Sequence, residues 1–113
     1  MREGIFVEMV RQTLGYVFSV VPKGKWVVTG DSPKMFIIEN GTFSIALSRI
    51  RGCSIIICDH SRDGNNFILL KLNIFHHDSE SNREKERNKE AVMFVIARGE
   101  LKSLMDISER SIK

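Results

Sequence analysis

Two alternating apolar segments flank an Asn-Gly pair in residues 36–45. This arrangement is the strongest short-range signal for a β-hairpin with a two-residue turn. With a turn at Asn40-Gly41, the numbers of paired residues sum to 81, so that Phe36 faces Ile45. One face of the hairpin, which we expect to be the core face, then carries Phe36, Ile38, Phe43, Ile45 and Leu47.

The N-terminal quarter of the chain changes from a helical to a strand pattern. Apolar residues recur at spacings of three and four in 2–14, which predicts an amphipathic helix that ends at Gly15. The apolar run at 16–21 predicts a strand, and 25–29 predicts its antiparallel return strand after a Pro-Gly turn. Turn residues at 30–33 then lead into the central hairpin.

A second strand pair is predicted at 53–60 and 66–75, around the turn residues 62–65. This turn sets the sum of paired residue numbers to 127, which places opposite one another Ile55 and Leu72, Ile57 and Leu70, and Asp59 and Ile68. Both hairpins have one mainly apolar face, so we expect them to belong to one sheet.

The last third of the chain begins with a charged segment. Residues 77–90 contain no apolar side chain, which predicts an exposed linker or the start of a helix. The apolar run 91–97 favours a helix, because it is rich in helix formers and its stripe continues through Leu101, Leu104 and Met105. Its β-branched residues and Gly99 leave a seventh strand as the alternative.

These elements predict an α+β fold in a single domain, residues 1–113. A six-strand antiparallel meander lies between an N-terminal helix and a C-terminal helix that follows the charged linker. With 42% apolar residues, 113 residues are enough for one hydrophobic core. The sheet is either covered on one side or curled into a partly open barrel, which would bury its second face.

Composition narrows the function classes only slightly. The 17 Lys and Arg residues against 14 Asp and Glu residues give a net charge of +3, which permits an anionic partner without indicating one. Charges interrupt the N-terminal segment every few residues, so we expect a cytosolic protein without a membrane span. Cys53 and Cys58 lie about 16 Å apart if they share a strand, so no disulfide is expected between them.

A meander sends alternate turns to opposite ends of the sheet, and this sorts the polar residues. One end collects basic and histidine residues with few acids. These residues form the candidate site for an anionic ligand, a phosphate or a carboxylate: Lys34, Arg49, Arg51, His76 and His77.

Metal binding and catalysis are less favoured. The segments 58–60 and 76–78 contain ligand-type residues, but the predicted register separates them by about 30 Å, so no metal or other cofactor is predicted. A cysteine nucleophile with a histidine base would be the catalytic candidate, yet Cys58 stands in an Ile-rich strand that favours an inert, buried thiol. No catalytic residue is therefore assigned.

Two binding hypotheses remain. The first is a non-enzymatic protein-interaction domain, self-associating or peptide-binding, that uses the second sheet face or the basic end. That face carries apolar area at Ile37, Ile56, Cys58 and Leu69. The alternative is nucleic-acid or other anionic-ligand binding, although Phe36 and Phe43 belong to the core face and few Lys or Arg residues interleave the strands.

Overall fold

The computed structural model describes residues 3–20, 24–50, 52–62, 65–75 and 84–110. Two helices enclose five strands in the chain order α1 (Glu3–Val20), β1 (Val27–Ser32), β2 (Met35–Glu39), β3 (Phe43–Ser48), β4 (Cys53–Arg62), β5 (Asn65–Phe75) and α2 (Glu84–Arg110). The strands form one antiparallel sheet whose spatial order follows the chain, β1-β2-β3-β4-β5. The predicted α+β class, the antiparallel sheet and the two terminal helices are confirmed.

The strand predicted at 16–21 is wrong, because α1 continues to Val20. The buried stripe of this helix, at spacings of four and three, is Val10, Leu14 and Val17. This stripe continues past Gly15, so the helix does not end at this glycine. A Cβ at Gly15 would have no atom of another segment within 4 Å, so no close contact requires glycine there. Tertiary burial thus overrides the β-propensity of residues 16–20, and the described residues form five strands instead of six. The turn predicted at 21–24 falls mostly outside the described residues.

The strand predicted at 25–29 corresponds to β1, which begins and ends later, at Val27–Ser32. It therefore includes most of the segment 30–33 that was expected to be a turn. Its pairing with β2 is irregular between Val28 and Gly30. A Cβ at Gly30 would lie 3.2 Å from Ile37 Cδ1, so the close approach of the strands favours glycine there. The turn itself is at 33–34, where Ser32 Oγ accepts a hydrogen bond from the Met35 N–H (3.1 Å).

The central hairpin is present, but its register differs from the prediction by two. The residue numbers of paired β2 and β3 residues sum to 83, as with Phe36 and Leu47. Asn40 precedes the turn, and its Oδ1 accepts a hydrogen bond from the Phe43 N–H (2.8 Å), so the two turn residues are Gly41 and the residue after it. Gly41 has a φ of +93°, which glycine adopts readily. A shift of two leaves every side chain on its predicted face.

The register of the second strand pair is confirmed in its middle, for Ile55 with Leu72 and for Ile57 with Leu70. The third predicted pair is wrong, because a register shift after Ile57 sets Asp59 opposite Phe67 instead of Ile68. Such a shift inserts an extra residue locally and changes the pairing beyond it. The predicted turn centre, 63–64, lies outside the described residues.

The apolar run 91–97 lies within α2, so the helix prediction is confirmed and the seventh strand is wrong. Helix α2 begins at Glu84, inside the charged segment, whereas residues 76–83 lie outside the described residues. Gly99 is exposed with open space around it, which explains why the helix accommodates it. The α2 side chains that enter the core are Met93, Phe94, Ala97 and Leu101.

One core joins both helices to a single face of the sheet. Most of the predicted core face is buried, and six of its side chains are at 2% exposure or less: Phe36, Ile38, Ile45, Leu47, Ile55 and Ile57. Phe43, also predicted on this face, is partly buried and packs against the core. On the second face, Ile37, Ala46 and Ile56 keep part of their surface in contact with solvent. The sheet is open, with β1 and β5 at its edges, so the predicted partial barrel is not observed.

Trp26 provides a test of this core. Its ring is buried and lies 5.6 Å from the Phe18 ring, while its indole N–H has no hydrogen-bond partner among the described residues. Trp26→Phe therefore removes no hydrogen bond and is expected to lower the free energy of unfolding by about 1 kcal/mol, against about 3–5 kcal/mol for Trp26→Ala. Urea unfolding followed by far-UV circular dichroism measures both. If Trp26→Phe lowers the free energy of unfolding as much as Trp26→Ala, the indole N–H contributes to stability, which contradicts its lack of a hydrogen-bond partner.

Candidate functional site

Glu90 anchors α2 to the turn between β3 and β4. Its side chain is 8% exposed, and its Oε2 accepts a hydrogen bond from the Gly52 N–H (2.8 Å). Gly52 has a φ of +99°, so this turn adopts a backbone conformation that favours glycine. The Cys53 Sγ–H donates to the Glu90 carbonyl oxygen (3.3 Å). A buried carboxylate thus organises the end of the sheet where the basic cluster was predicted.

Arg49 extends this connection to the turn between β1 and β2. Its Nε lies 3.5 Å from Glu90 Oε1, and its Nη1 donates to the Pro33 carbonyl oxygen (3.3 Å). Its backbone N–H also donates to the Lys34 carbonyl oxygen (3.0 Å). The two neighbouring turns and α2 are therefore held together through one arginine side chain, and pairing with Arg49 compensates the buried charge of Glu90.

A cleft of about 440 Å³ opens between these turns and α2. Its volume falls in the range typical of small-molecule sites. The helix contributes one stripe, at spacings of three and four, and the two turns form the facing wall. The lining residues are Asp31, Ser32, Pro33, Arg49, Ala91, Phe94, Val95 and Arg98.

A second arginine stands in the cleft, near a second carboxylate. Arg98 Nε lies 3.5 Å from Asp31 Oδ1, and both side chains are more than one third exposed. The guanidinium carbon of Arg98 is 5.8 Å from the centroid of the buried Phe36 ring, and the Lys102 Nζ is 5.5 Å from it. Cation–π attraction therefore helps to hold both cations over the core.

The structure brings together only part of the predicted anionic site. Lys34 and Arg49 are adjacent, as the alternation of turns predicted, and the Lys34 side chain is exposed. Arg51, His76 and His77 lie outside the described residues, so their part of the prediction stays a prediction.

Sequence reasoning missed Glu90 and Arg98, which come from α2. A signal for Glu90 existed, because it occupies the first position of the buried stripe that continues with Phe94, Ala97 and Leu101. An acid on an apolar stripe indicates a buried, paired carboxylate. Arg98 carried no such signal, since its position in the cleft depends on how α2 crosses the turns.

The second sheet face carries a histidine–serine pair. His60 Nε2 and Ser44 Oγ are 2.7 Å apart, and Cys58 lies directly opposite Ser44. The contact provides a partner for the buried hydroxyl of Ser44. The His60 side chain is therefore hydrogen-bonded to a serine that lies opposite Cys58.

The β5 edge carries a run of three exposed apolar residues. Phe67, Ile68 and Leu69 are 43%, 65% and 55% exposed. In the described sheet β5 pairs only with β4, so its other side presents backbone N–H and C=O groups. Sheet edges are normally short or blunted by charge. In contrast, β5 has 11 residues, and Lys71 is its single charged residue.

Comparison with known proteins adds no family to these observations. A scan of protein-family models, a search of curated proteins and a search of solved structures each returned no match to this chain. Among the described residues, neither helix combines the length and apolar character required to cross a bilayer.

The role of Glu90 can be tested by substitution. Glu90→Ala leaves the Gly52 N–H without its acceptor and Arg49 without its carboxylate, so we expect a loss of about 2–3 kcal/mol in the free energy of unfolding. Glu90→Gln keeps an acceptor oxygen and should lose about half as much. Denaturant unfolding measures these changes.

Glu100→Ala is the matched control, because Glu100 also lies on α2 and pairs with an arginine, Arg11, at 3.3 Å. The Arg11 side chain is largely exposed, so this control should change stability clearly less than Glu90→Ala. If Glu100→Ala destabilises the protein as much as Glu90→Ala, the buried Glu90 contacts contribute no more stability than an exposed ion pair, and the prediction is wrong.

The two thiols should differ in reactivity. Burial, reinforced by the Glu90 carboxylate and opposed by Arg49, raises the pKa of the Cys53 thiol to about 12. Cys58 is partly exposed, so the expectation that its thiol is buried is wrong. Because the thiolate is the reactive form, Cys53 should stay unmodified by a disulfide reagent at about pH 8, while Cys58 reacts. Cys58→Ser should abolish the fast reaction and Cys53→Ser should retain it. A fast-reacting Cys53 in the folded protein would contradict this expectation.

Proposed function

We propose that this chain is a non-enzymatic protein-interaction domain that self-associates through the edge of β5. The observation that carries the proposal is the exposed run Phe67, Ile68 and Leu69 on an 11-residue edge strand. An exposed, long, apolar edge is a template for pairing with another strand. Main-chain hydrogen bonds provide the affinity in such pairing, and side chains provide the specificity.

A second copy of the same chain is the proposed occupant. Two β5 strands can pair antiparallel about a twofold axis, which satisfies both edges at once and closes the assembly as a dimer. In that arrangement each apolar run covers part of the β5 strand of the other copy. The second sheet face would become continuous across the dimer, as a ten-stranded surface built from two sheets of five strands.

The non-enzymatic part of the proposal is supported by the state of Cys53, one of the two cysteines in the chain. Its thiol has a raised pKa and donates to a backbone carbonyl. The cytosolic location belongs to the same proposal, supported by two unpaired thiols, which are typical of reducing compartments.

Size-exclusion chromatography with light scattering tests the dimer. The native chain should elute with about twice its 12.9 kDa mass, and Ile68→Lys should shift it to the monomer, because a charge on the edge opposes strand pairing. Ile107→Lys is the matched control, since Ile107 is a similarly exposed apolar residue on α2. A native chain that is monomeric at every concentration, or a control as dissociating as Ile68→Lys, contradicts the proposal.

Anion binding in the cleft is a second candidate function. The observation in its favour is that two arginines, Arg49 and Arg98, line one cleft beside the exposed Lys34. A small anion fits this arrangement better than a nucleic acid. On the strands, Phe36 is buried in the core and Phe43 packs against it, so neither is available to stack on bases. Phe67 is exposed but lies on β5, which does not line the cleft.

A further inference from the structure

The cleft beside α2 has an apolar interior and charged ends. Ala91, Phe94, Val95 and Arg98 follow one stripe of the helix and form its floor. From Ala91 to Arg98 the helix rises about 10 Å. Arg49 approaches the first end of this stripe through its contact with Glu90, whereas Arg98 stands at the other end. Apolar surface therefore separates the two guanidinium groups.

The charge balance of the cleft favours an anion of low charge. Two cations, Arg49 and Arg98, are each within 3.5 Å of a carboxylate, Glu90 and Asp31 respectively. Asp31 lines the cleft, so it would repel a polyphosphate and offset part of the attraction of the bases. A monoanion needs to replace only one of these carboxylate contacts.

Arg98 is the arginine that can exchange its partner. Its contact with Asp31 is a single approach at 3.5 Å between side chains that are 34% and 41% exposed, a type of pair that contributes little to stability. Arg49 is 22% exposed, and its contacts with Glu90 and the Pro33 carbonyl hold the turns together. Replacing the Asp31 contact leaves the fold intact, while replacing the Glu90 contact would disrupt it.

From these observations we infer that the cleft binds a monocarboxylate that carries an apolar group. The ligand carboxylate replaces Asp31 at the guanidinium of Arg98, which can bind a planar carboxylate through two parallel N–H donors. The apolar group lies on the floor formed by Ala91, Phe94 and Val95, against Pro33. This inference rests on the second candidate function, anion binding, and specifies the class of its ligand.

Two sources provide this chemistry: a free organic acid, and a peptide that ends in an apolar residue. Both present one carboxylate next to an apolar group. An open cleft accommodates either, so the probes should include 3-phenylpropionate and an N-acetylated Gly-Gly-Phe peptide with a free C-terminus. The matching uncharged probes are 3-phenylpropanamide and the same peptide with a C-terminal amide.

Calorimetric titration of the full chain with these probes, and with inorganic phosphate, tests the inference. Backbone amide shifts in NMR spectra locate the binding. The carboxylate probes should bind and shift the amides of 91–98, while the amide probes bind at least tenfold more weakly. Arg98→Gln should weaken carboxylate binding about tenfold, the loss of one charge-assisted hydrogen-bonded pair. Lys102→Gln, which removes the same charge one turn away, should change it less than about threefold.

Val95→Glu is the second variant, because Val95 is 63% exposed and its replacement leaves the core unchanged. A carboxylate placed on the cleft floor should abolish binding of the carboxylate probes. Unchanged binding in both Arg98→Gln and Val95→Glu overturns the inference. The tighter of the two carboxylate probes identifies the source, and either result supports the shared chemistry.

The remaining outcomes separate this inference from anion binding in general. If phosphate binds as tightly as 3-phenylpropionate with the same dependence on Arg98, the cleft is an anion site without preference for an apolar group, and only the inference fails. If neither phosphate nor any carboxylate probe binds, both the inference and the proposed anion binding at the cleft are wrong.

Discussion

Burial of one sheet face against two helices is the constraint on which the rest of the structure depends. The side chains of β2, β3 and β4 that point to this face are removed from water together with the stripes of α1 and α2. Because this apolar area is the main source of stability, it determines which register and which helix length are favourable. The stripe of α1 therefore extends to Val17, through a segment with high β-propensity.

Covering only one face leaves the rest of the sheet available for binding. The described helices both contribute to the same core, so the second face keeps partly exposed apolar residues such as Ile56. Since the sheet does not close, β1 and β5 remain as edges. The two described helices cover only one face of the open sheet. This one cause explains both the exposed second face and the free β5 edge at which we propose self-association.

The position of α2 across the turns has a local cause in Glu90. A buried carboxylate must be compensated, and here the Gly52 N–H and Arg49 do so. These contacts place the second turn of α2, which contains Glu90, against the turn after β3, and leave the next two turns of the helix facing Asp31 to Pro33 across a cleft. The same buried charge therefore stabilises the fold and shapes the cleft, which is why Arg49 is more a structural residue than a ligand-binding one.

The sequence by itself determined the fold class, the two terminal helices, the faces of the central strands and the proximity of Lys34 to Arg49, because these depend on local periodicity and on the alternation of turns. Only the tertiary structure decided the exact register at Asn40, the extension of α1 beyond Gly15 and the role of Arg98. The physical reason is that each of these depends on contacts between distant segments. The register at Asn40 could shift by two residues because such a shift keeps every side chain on its face. Helix α1 extends past Gly15 because burial of its stripe outweighs the strand propensity of the segment. Arg98 lines the cleft because α2 crosses the turns at that point.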